Sequence, residues 1–363
     1  SSTQTGIPAG LKRLWSTEVG GKLSAPTVAA GRVFVASVDG HRVHALDAGS
    51  GKPVWTFTAG GRVDSPPTVH RGMAIFGCRN GWVYCLRAGD GKMVWRFLAG
   101  PVDRRIGAFD QLESPWPVHG AVLVQGEKLF LSAGRHANAE GGITVWGLDP
   151  ATGEILWRNG PTYEIVNDVL RTGTAGNVYL GPYKVAYDPK TGKPVRDDAR
   201  LDTFWAGVLN GQSGGHWNHG RDLMAFDSKR TVSVYSGPLK KKYGKPARVN
   251  NVPGRGYEIA MTGKGPKWEV KGVPVRVNAL VLAPEKVLVA GPPDFPSDPK
   301  SENPWAVIDA AGKARLVVLS ADDGKEIEAL DMEAAPVFDG MASAGGKLFV
   351  SCRDGRLRCY GGK

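Results

Sequence analysis

An all-β repeat fold is what this sequence predicts, and three observations predict it. Whole segments recur: residues 43–60 read VHALDAGSGKPVWTFTAG, residues 83–100 read VYCLRAGDGKMVWRFLAG, and residues 145–157 read VWGLDPATGEILW. The pairs Leu14-Trp15, Val54-Trp55 and Val94-Trp95 mark a period of 40 residues. The 50 Gly and 25 Pro suit many short strands joined by tight turns. A unit of this length that repeats buries its apolar face by packing on its neighbours. Four short antiparallel strands per unit make a propeller blade, so the fold class is a seven-bladed β-propeller forming one domain.

Each unit repeats one order of elements. A Pro-containing entry, SAPTV (24–28) or SPPTV (65–69), leads into an apolar strand, RVFVAS (32–37) or MAIFGC (73–78). A tight turn follows at Asp39-Gly40 or Asn80-Gly81, where glycine supplies the positive φ that a hairpin needs. A third strand alternates, as in HRVHALD (41–47), and a second turn, GSGK (49–52) or GDGK (89–92), precedes a fourth strand ending in VWTF or VWRF. GSGK is not a phosphate loop: the full GxxxxGK[ST] is absent, Pro53 follows the lysine, and no helix follows.

Blades are expected at about 22–60, 62–100, 115–160 (with the long turn AGRHANAEGG, 133–142), 165–198, 203–270, 275–332 and 336–362. The last has only KLFVSCRDGRLRCYGG, so LKRLWSTEV (11–19) at the N-terminus is expected to supply its outer strand and remove an open edge. An eighth blade within 199–274 is the alternative.

Hydrophobic residues at 42% and charged residues at 22% are ordinary for a globular chain. No stretch approaches the roughly 18–20 continuous apolar residues of a membrane-spanning helix. The net charge of +11 is dispersed, densest at LKKKYGK (239–245), which reads as a solvated loop, with affinity for acidic polymers or anionic surfaces as the second reading. A basic stripe with interleaved aromatics is missing, so no nucleic-acid partner is expected. SSTQTGIPAG, the polar opening, reads as a mature terminus from which an export signal has been removed.

The pattern A-L-D-x-x-T-G-x-x-x-W, here ALDAGSGKPVW (45–55) and GLDPATGEILW (147–157), resembles the pyrroloquinoline-quinone-type propeller repeat. That repeat is shared by quinoprotein dehydrogenases and outer-membrane assembly lipoproteins of the BamB type. The stretches at 109–135 and 201–220 resemble large exported propeller proteins of planctomycete-type bacteria. The resemblance implies the fold and is nearly silent on activity. Quinoprotein enzymes carry an adjacent Cys-Cys pair over the quinone, and often a C-x-x-C-H haem site. Neither occurs here, so no cofactor is expected.

CRNGWVYC (78–85) and CRDGRLRC (352–359) share a C-x6-C spacing in two blades. Bridges Cys78–Cys85 and Cys352–Cys359 are expected, with buried free thiols as the alternative; the register of each turn decides. Bridges would point to an oxidising compartment, periplasmic or extracellular. With the pairs in non-adjacent blades and no histidine beside them, no metal site is expected.

Two irregular regions hold the candidate ligand-binding residues. DRRIGAFDQLESPWP (103–117) contributes Arg104, Arg105, Glu113 and Trp116, and Arg135 and His136 join them if the third-blade turn opens on the same face. The opening of the fifth blade, including GGHWNHGRD (214–222), contributes Trp205, His216, Trp217, His219 and Arg221. Such loops meet propeller ligands at the channel mouth, though ion pairing between blades and bracing of the channel are equally ordinary uses. The reading favoured is an exported, monomeric, non-catalytic binding or scaffold propeller, peripherally associated with the envelope, whose ligand is a protein, a polysaccharide or another acidic polymer. The alternatives are a polysaccharide lyase or hydrolase using His216, Trp217, His219 and Arg221, and then a quinoprotein oxidoreductase.

Overall fold

A computed structural model describes residues 3–136, 138–162, 170–172, 176–180, 185–196, 223–236, 239–242, 245–248, 256–294 and 312–362. Among them lie seven four-stranded antiparallel sheets and two two-stranded ones. The chain packs as two compact units: Thr27–Leu209, with blades 1 to 4, and Ser1–Pro26 together with Asn210–Lys363, with blades 5 to 7.

In the first unit, blade 1 comprises Thr27–Ala29, Arg32–Ser37, Arg42–Asp47 and Pro53–Thr58. Blade 2 comprises Thr68–His70, Met73–Gly77, Trp82–Arg87 and Met93–Leu98. Blade 3 runs Leu123–Gln125, Lys128–Ala133, Ile143–Leu148 and Ile155–Thr162, and blade 4 runs Leu170–Thr172, Val178–Leu180, Val185–Tyr187 and Pro194–Arg196. The middle strands of blades 1 to 3 are the most apolar, and their two faces feed separate cores. Phe34, Val43 and Phe76 pack between blades 1 and 2, whereas Ile75, Val83, Leu129 and Leu131 pack between blades 2 and 3.

The repeated Asp, Gly and Trp have one physical explanation. Asp47 Oδ1 accepts the amides of Gly49 (3.1 Å) and Ser50 (2.8 Å) and so closes the turn before the fourth strand; Asp149 and Asp188 do the same in blades 3 and 4. In blades 1 to 3 the tryptophan of the fourth strand inserts against the equivalent turn of the next blade. Trp55 Nε1 donates to Ala88 O (2.9 Å), Trp95 to Pro150 O (3.1 Å) and Trp157 to Pro189 O (3.1 Å). Gly91 lies under the Trp55 ring at φ +72°, and a Cβ there would come within 2.7 Å of Trp55 Cδ2. Trp268 repeats the arrangement in the second unit, donating to Ala321 O (2.9 Å) above Gly324.

In the second unit, blade 5 comprises Leu223–Phe226, Arg230–Ser236, Tyr257–Gly263 and Trp268–Val273. A two-stranded hairpin, Leu239–Lys242 and Lys245–Arg248, is inserted between its second and third strands, where the sequence suggests a plain loop. Blade 6 runs Ala279–Leu282, Lys286–Gly291, Ala314–Ser320 and Glu326–Met332. Blade 7 runs Pro336–Ala344, Lys347–Cys352 and Arg356–Gly361, and Lys12–Glu18 completes it from the N-terminus, with Trp15 opposite Cys359.

Five fourth strands share a further detail. The register skips Leu14, Val54, Val94, Leu156 and Ile327, so each is the extra residue of a β-bulge with an exposed aliphatic side chain. A bulge on an edge strand twists it away from pairing with another chain.

Two sequence expectations are corrected. The positive φ in the blade 1 turn falls on His41 (φ 56°) rather than Gly40, whereas Gly81 takes it in blade 2. The expected bridges Cys78–Cys85 and Cys352–Cys359 are not formed: all four cysteines are free and buried. Cys85 is opposite Ile75, three residues before Cys78, and Cys359 is opposite Phe349, three residues before Cys352. An odd offset puts the two thiols on opposite faces of the sheet. Cys78 accordingly lies in the core between blades 1 and 2, and Cys85 in the core between blades 2 and 3. Burial pushes the Cys78 and Cys85 thiols up to about 12, and Cys352 and Cys359 up to about 11. The thiolate is the reactive form, so these are packing residues.

Candidate functional site

In an antiparallel blade, the turn between second and third strands and the link leaving the fourth strand lie at the same end. In blades 1 to 3 these turns and links carry charges that meet in alternating order. Arg62, from the first link, lies 3.1 Å from Asp39 in the blade 1 turn and 3.5 Å from Asp64. Arg79, from the blade 2 turn, donates through Nε to Asp64 and lies 3.4 Å from Glu113 in the second link. Arg135, from the blade 3 turn, approaches the other side of Glu113 at 2.6 Å and also donates to Ser114 O (3.1 Å).

Glu113 is fully buried between the two guanidinium groups. A buried carboxylate is tolerated only when paired in this way. Burial alone would lower the Arg79 pKa, but the hydrogen bond and charge of Asp64, then Glu113, hold it above its ordinary value. Gly81 lets the links close in, since a Cβ there would come within 2.7 Å of Ser114 Oγ.

The second link also forms a small hairpin, Ile106–Ala108 with Gln111–Glu113, turning through Phe109 and Asp110. Both turn residues have positive φ, 52° and 59°, the geometry that Asn-Gly ordinarily fills. Holding a bulky L-residue there costs roughly 1–2 kcal/mol. The hairpin is fastened at three points: His41 Nε2 lies 2.7 Å from Gln111 Oε1, the Arg79 guanidinium lies 5.4 Å from the Phe109 ring centre, and Glu113 is clamped as described. Phe109 nevertheless stays 68% exposed, with Leu112 at 66% and Val102 at 53%. Residues Gly107 to Leu112 line an open hollow of about 640 Å³.

The sequence candidates thus divide. Arg135 joins Glu113, but the exposed His136 only accepts the Asn138 amide (3.2 Å) within its own turn. Arg104 pairs with Glu140 (2.8 Å) and lies 5.6 Å from the Trp116 ring centre, while Trp116 Nε1 donates to Glu140 O (2.6 Å). Arg105 donates to Asp103 (2.6 Å) and Asn80 O (2.8 Å). Trp205, His216, Trp217, His219 and Arg221 lie outside the described residues. Sequence reasoning missed Asp39, Arg62, Asp64, Arg79, Phe109 and Leu112. The first four sit in plain turns and links with no motif, and Phe109 breaks the residue preference of its own turn. Among the described residues no three His, Cys, Asp or Glu cluster in a way that could hold a metal ion.

Repeated four-stranded antiparallel sheets, several of them seating a tryptophan on the next sheet's turn, define the fold as a β-propeller. Residues 8–108 match the family model described as outer membrane protein assembly factor BamB. Among solved structures, BamB from Moraxella catarrhalis is similar at 14% identity and TM-score 0.57, over 97% of this chain and 98% of that one. Quinohemoprotein alcohol dehydrogenase ADHIIG from Pseudomonas putida HK5 is similar at 13% identity and TM-score 0.61, over 97% and 76%. The quinohemoprotein alcohol dehydrogenase of Comamonas testosteroni is similar at 14% identity and TM-score 0.60, over the same shares. At such identities the likeness is one of fold. No curated protein matches the chain.

Proposed function

We propose that this protein is a non-catalytic binding propeller of the cell envelope, periplasmic or extracellular, which presents the loop end of blades 1 to 3 to a protein partner. One observation carries the reading: Phe109 is held in a strained backbone conformation with its ring two-thirds exposed. Strain at a bulky residue persists where the surroundings impose it, and such positions gather at functional sites. Exposed apolar side chains within a polar rim have the anatomy of an interaction hot spot. The rim is supplied by Arg104 with Glu140 and Arg105 with Asp103, each already neutralised. The candidate charged groups of this region are engaged with one another, which suits a brace better than a reacting centre. The BamB-type repeat agrees with an envelope setting and a protein ligand.

The test replaces Phe109 by a photo-crosslinking benzophenone amino acid in the native host. The expected result is one discrete protein adduct, lost when Leu112→Asp is added, whose purified partner binds the unmodified chain at least tenfold more tightly than Phe109→Ala. An adduct pattern indifferent to Leu112, or equal affinity for Phe109→Ala, overturns it.

A further inference from the structure

We infer that the lysine-rich hairpin of blade 5 is a docking surface for an anionic phospholipid bilayer. This goes beyond the protein-binding reading above and uses a different element. From Leu239 to Arg248 the chain carries Lys240, Lys241, Lys242, Lys245 and Arg248, with no acidic residue. The backbone register pairs Leu239 with Arg248, Lys240 with Ala247, Lys241 with Pro246 and Lys242 with Lys245. Successive strand residues belong to opposite faces, so one face of the ribbon holds the positions of Lys240, Lys242 and Lys245, with Ala247 as its only uncharged member.

Same-face positions along a strand are about 6.6 Å apart and neighbouring strands about 4.8 Å apart. The three cationic positions therefore fall within a Debye length of about 8 Å at physiological salt, where screening between them is incomplete. Like charges directly opposite one another, as at Lys242 and Lys245, oppose strand pairing. A ribbon of only two strands has little stability of its own to set against this. One small anion relieves one charge; an extended anionic surface relieves all three together.

The residue types narrow the occupant. Four of the five cations are lysine, a compact hydrated point charge that needs no fixed acceptor geometry. That suits headgroup phosphates in a fluid surface better than one ordered carboxylate or phosphate. Pro246 withholds a backbone donor, which blunts the edge of the ribbon against strand addition and leaves the face as the contact. The strands carry no aromatic platform of the kind that stacks nucleic-acid bases. Each Lys or Arg held near an anionic lipid surface adds to the attraction, so several acting together carry a docking contact.

The experiment uses the full chain in co-sedimentation with phosphatidylethanolamine–phosphatidylglycerol vesicles, with phosphatidylcholine vesicles as the comparison. Expected is binding to the anionic vesicles alone, abolished by high salt. Each basic residue near the surface is worth roughly fivefold in partition, so K240Q/K242Q/K245Q should lose about a hundredfold. K240R/K242R/K245R should bind like the original chain, and the melting temperatures of both variants should match it. Equal binding by the glutamine variant overturns the inference, because the lysines would then only keep the ribbon soluble. Equal binding to phosphatidylcholine overturns it as well. So does binding to soluble polyphosphate without binding to vesicles, which would make the ligand an acidic polymer.

Discussion

Replacing Gly91 with alanine tests how tightly one blade locks onto the next. Two costs apply. Gly91 has φ +72°, where an L-residue is disfavoured by roughly 1–2 kcal/mol. The new Cβ would also sit 2.7 Å from Trp55 Cδ2 and 2.9 Å from Cε3, forcing the ring out of its seat below Ala88. Overpacking of this sort costs roughly 1–3 kcal/mol. Gly72 is the matched control, since it has φ +76° but no atom within 4 Å of a would-be Cβ. Alanine also restricts the unfolded chain, but equally at both sites, so that effect cancels in the comparison. Equilibrium urea unfolding should therefore show Gly72→Ala destabilised by about 1 kcal/mol and Gly91→Ala by a further 1–3 kcal/mol. Tryptophan fluorescence should report the displaced Trp55. If the two variants are equally stable, the tryptophan seat is loose and the steric reason for Gly91, Gly153, Gly192 and Gly324 is wrong.

Glu113→Ala should cost about 3 kcal/mol, because it strands Arg135 and deprives Arg79 of one partner in a largely dehydrated setting; Arg104→Ala, which breaks an exposed pair, should cost about 1 kcal/mol or less. Urea midpoints that rank the two variants the other way would refute the brace. Thiol titration should find none reactive in the native protein at pH 8 and four after unfolding without reductant, given thiols pushed up to about 11 or 12; fewer than four would restore a disulfide. The carboxyl of Asp354 would be raised by its partial burial, but the Arg358 hydrogen bond and charge hold it below its ordinary value, and Glu333 is held low chiefly by Arg13. Depressed carboxylates contribute stability above their unfolded pKa and lose it as pH falls through the folded value. The melting temperature should therefore fall below about pH 4, and fall less steeply in Asp354→Asn. Identical acid profiles would show that Asp354 plays no part.

The blade grammar is legible because strand alternation, turn glycines and tryptophans recur, at a spacing of 40 residues over Trp15, Trp55 and Trp95, and each is a local signal. Pairing of the N-terminal strand with the last blade is legible because that blade is one strand short. The cysteines mislead because a spacing of seven does not fix register; the pairing of Ile75 with Cys85 does, and it separates the thiols. The chain Asp39–Arg62–Asp64–Arg79–Glu113–Arg135 is invisible in sequence because its members come from turns and links of three blades, and only tertiary packing aligns them. Phe109-Asp110 lacks the glycine or asparagine that announces its turn, so the hairpin reads as plain linker.

Strand Lys12–Glu18 pairs with the closing strand of the chain, and Ser16 meets Arg356 across 340 residues. That separation imposes an order on biogenesis. Lys12–Glu18 emerges from the ribosome or a translocation pore long before its partner strand, about 340 residues further along the chain. Until then Arg356–Gly361 is missing and Lys12–Glu18 is an unpaired strand, the state most open to misassociation and proteolysis. The late contact also carries a large loop-closure entropy and high contact order, which slows the final step. A chain that stops short of Arg356 would leave Lys12–Glu18 without its partner strand, so this sheet forms only once both segments have been made.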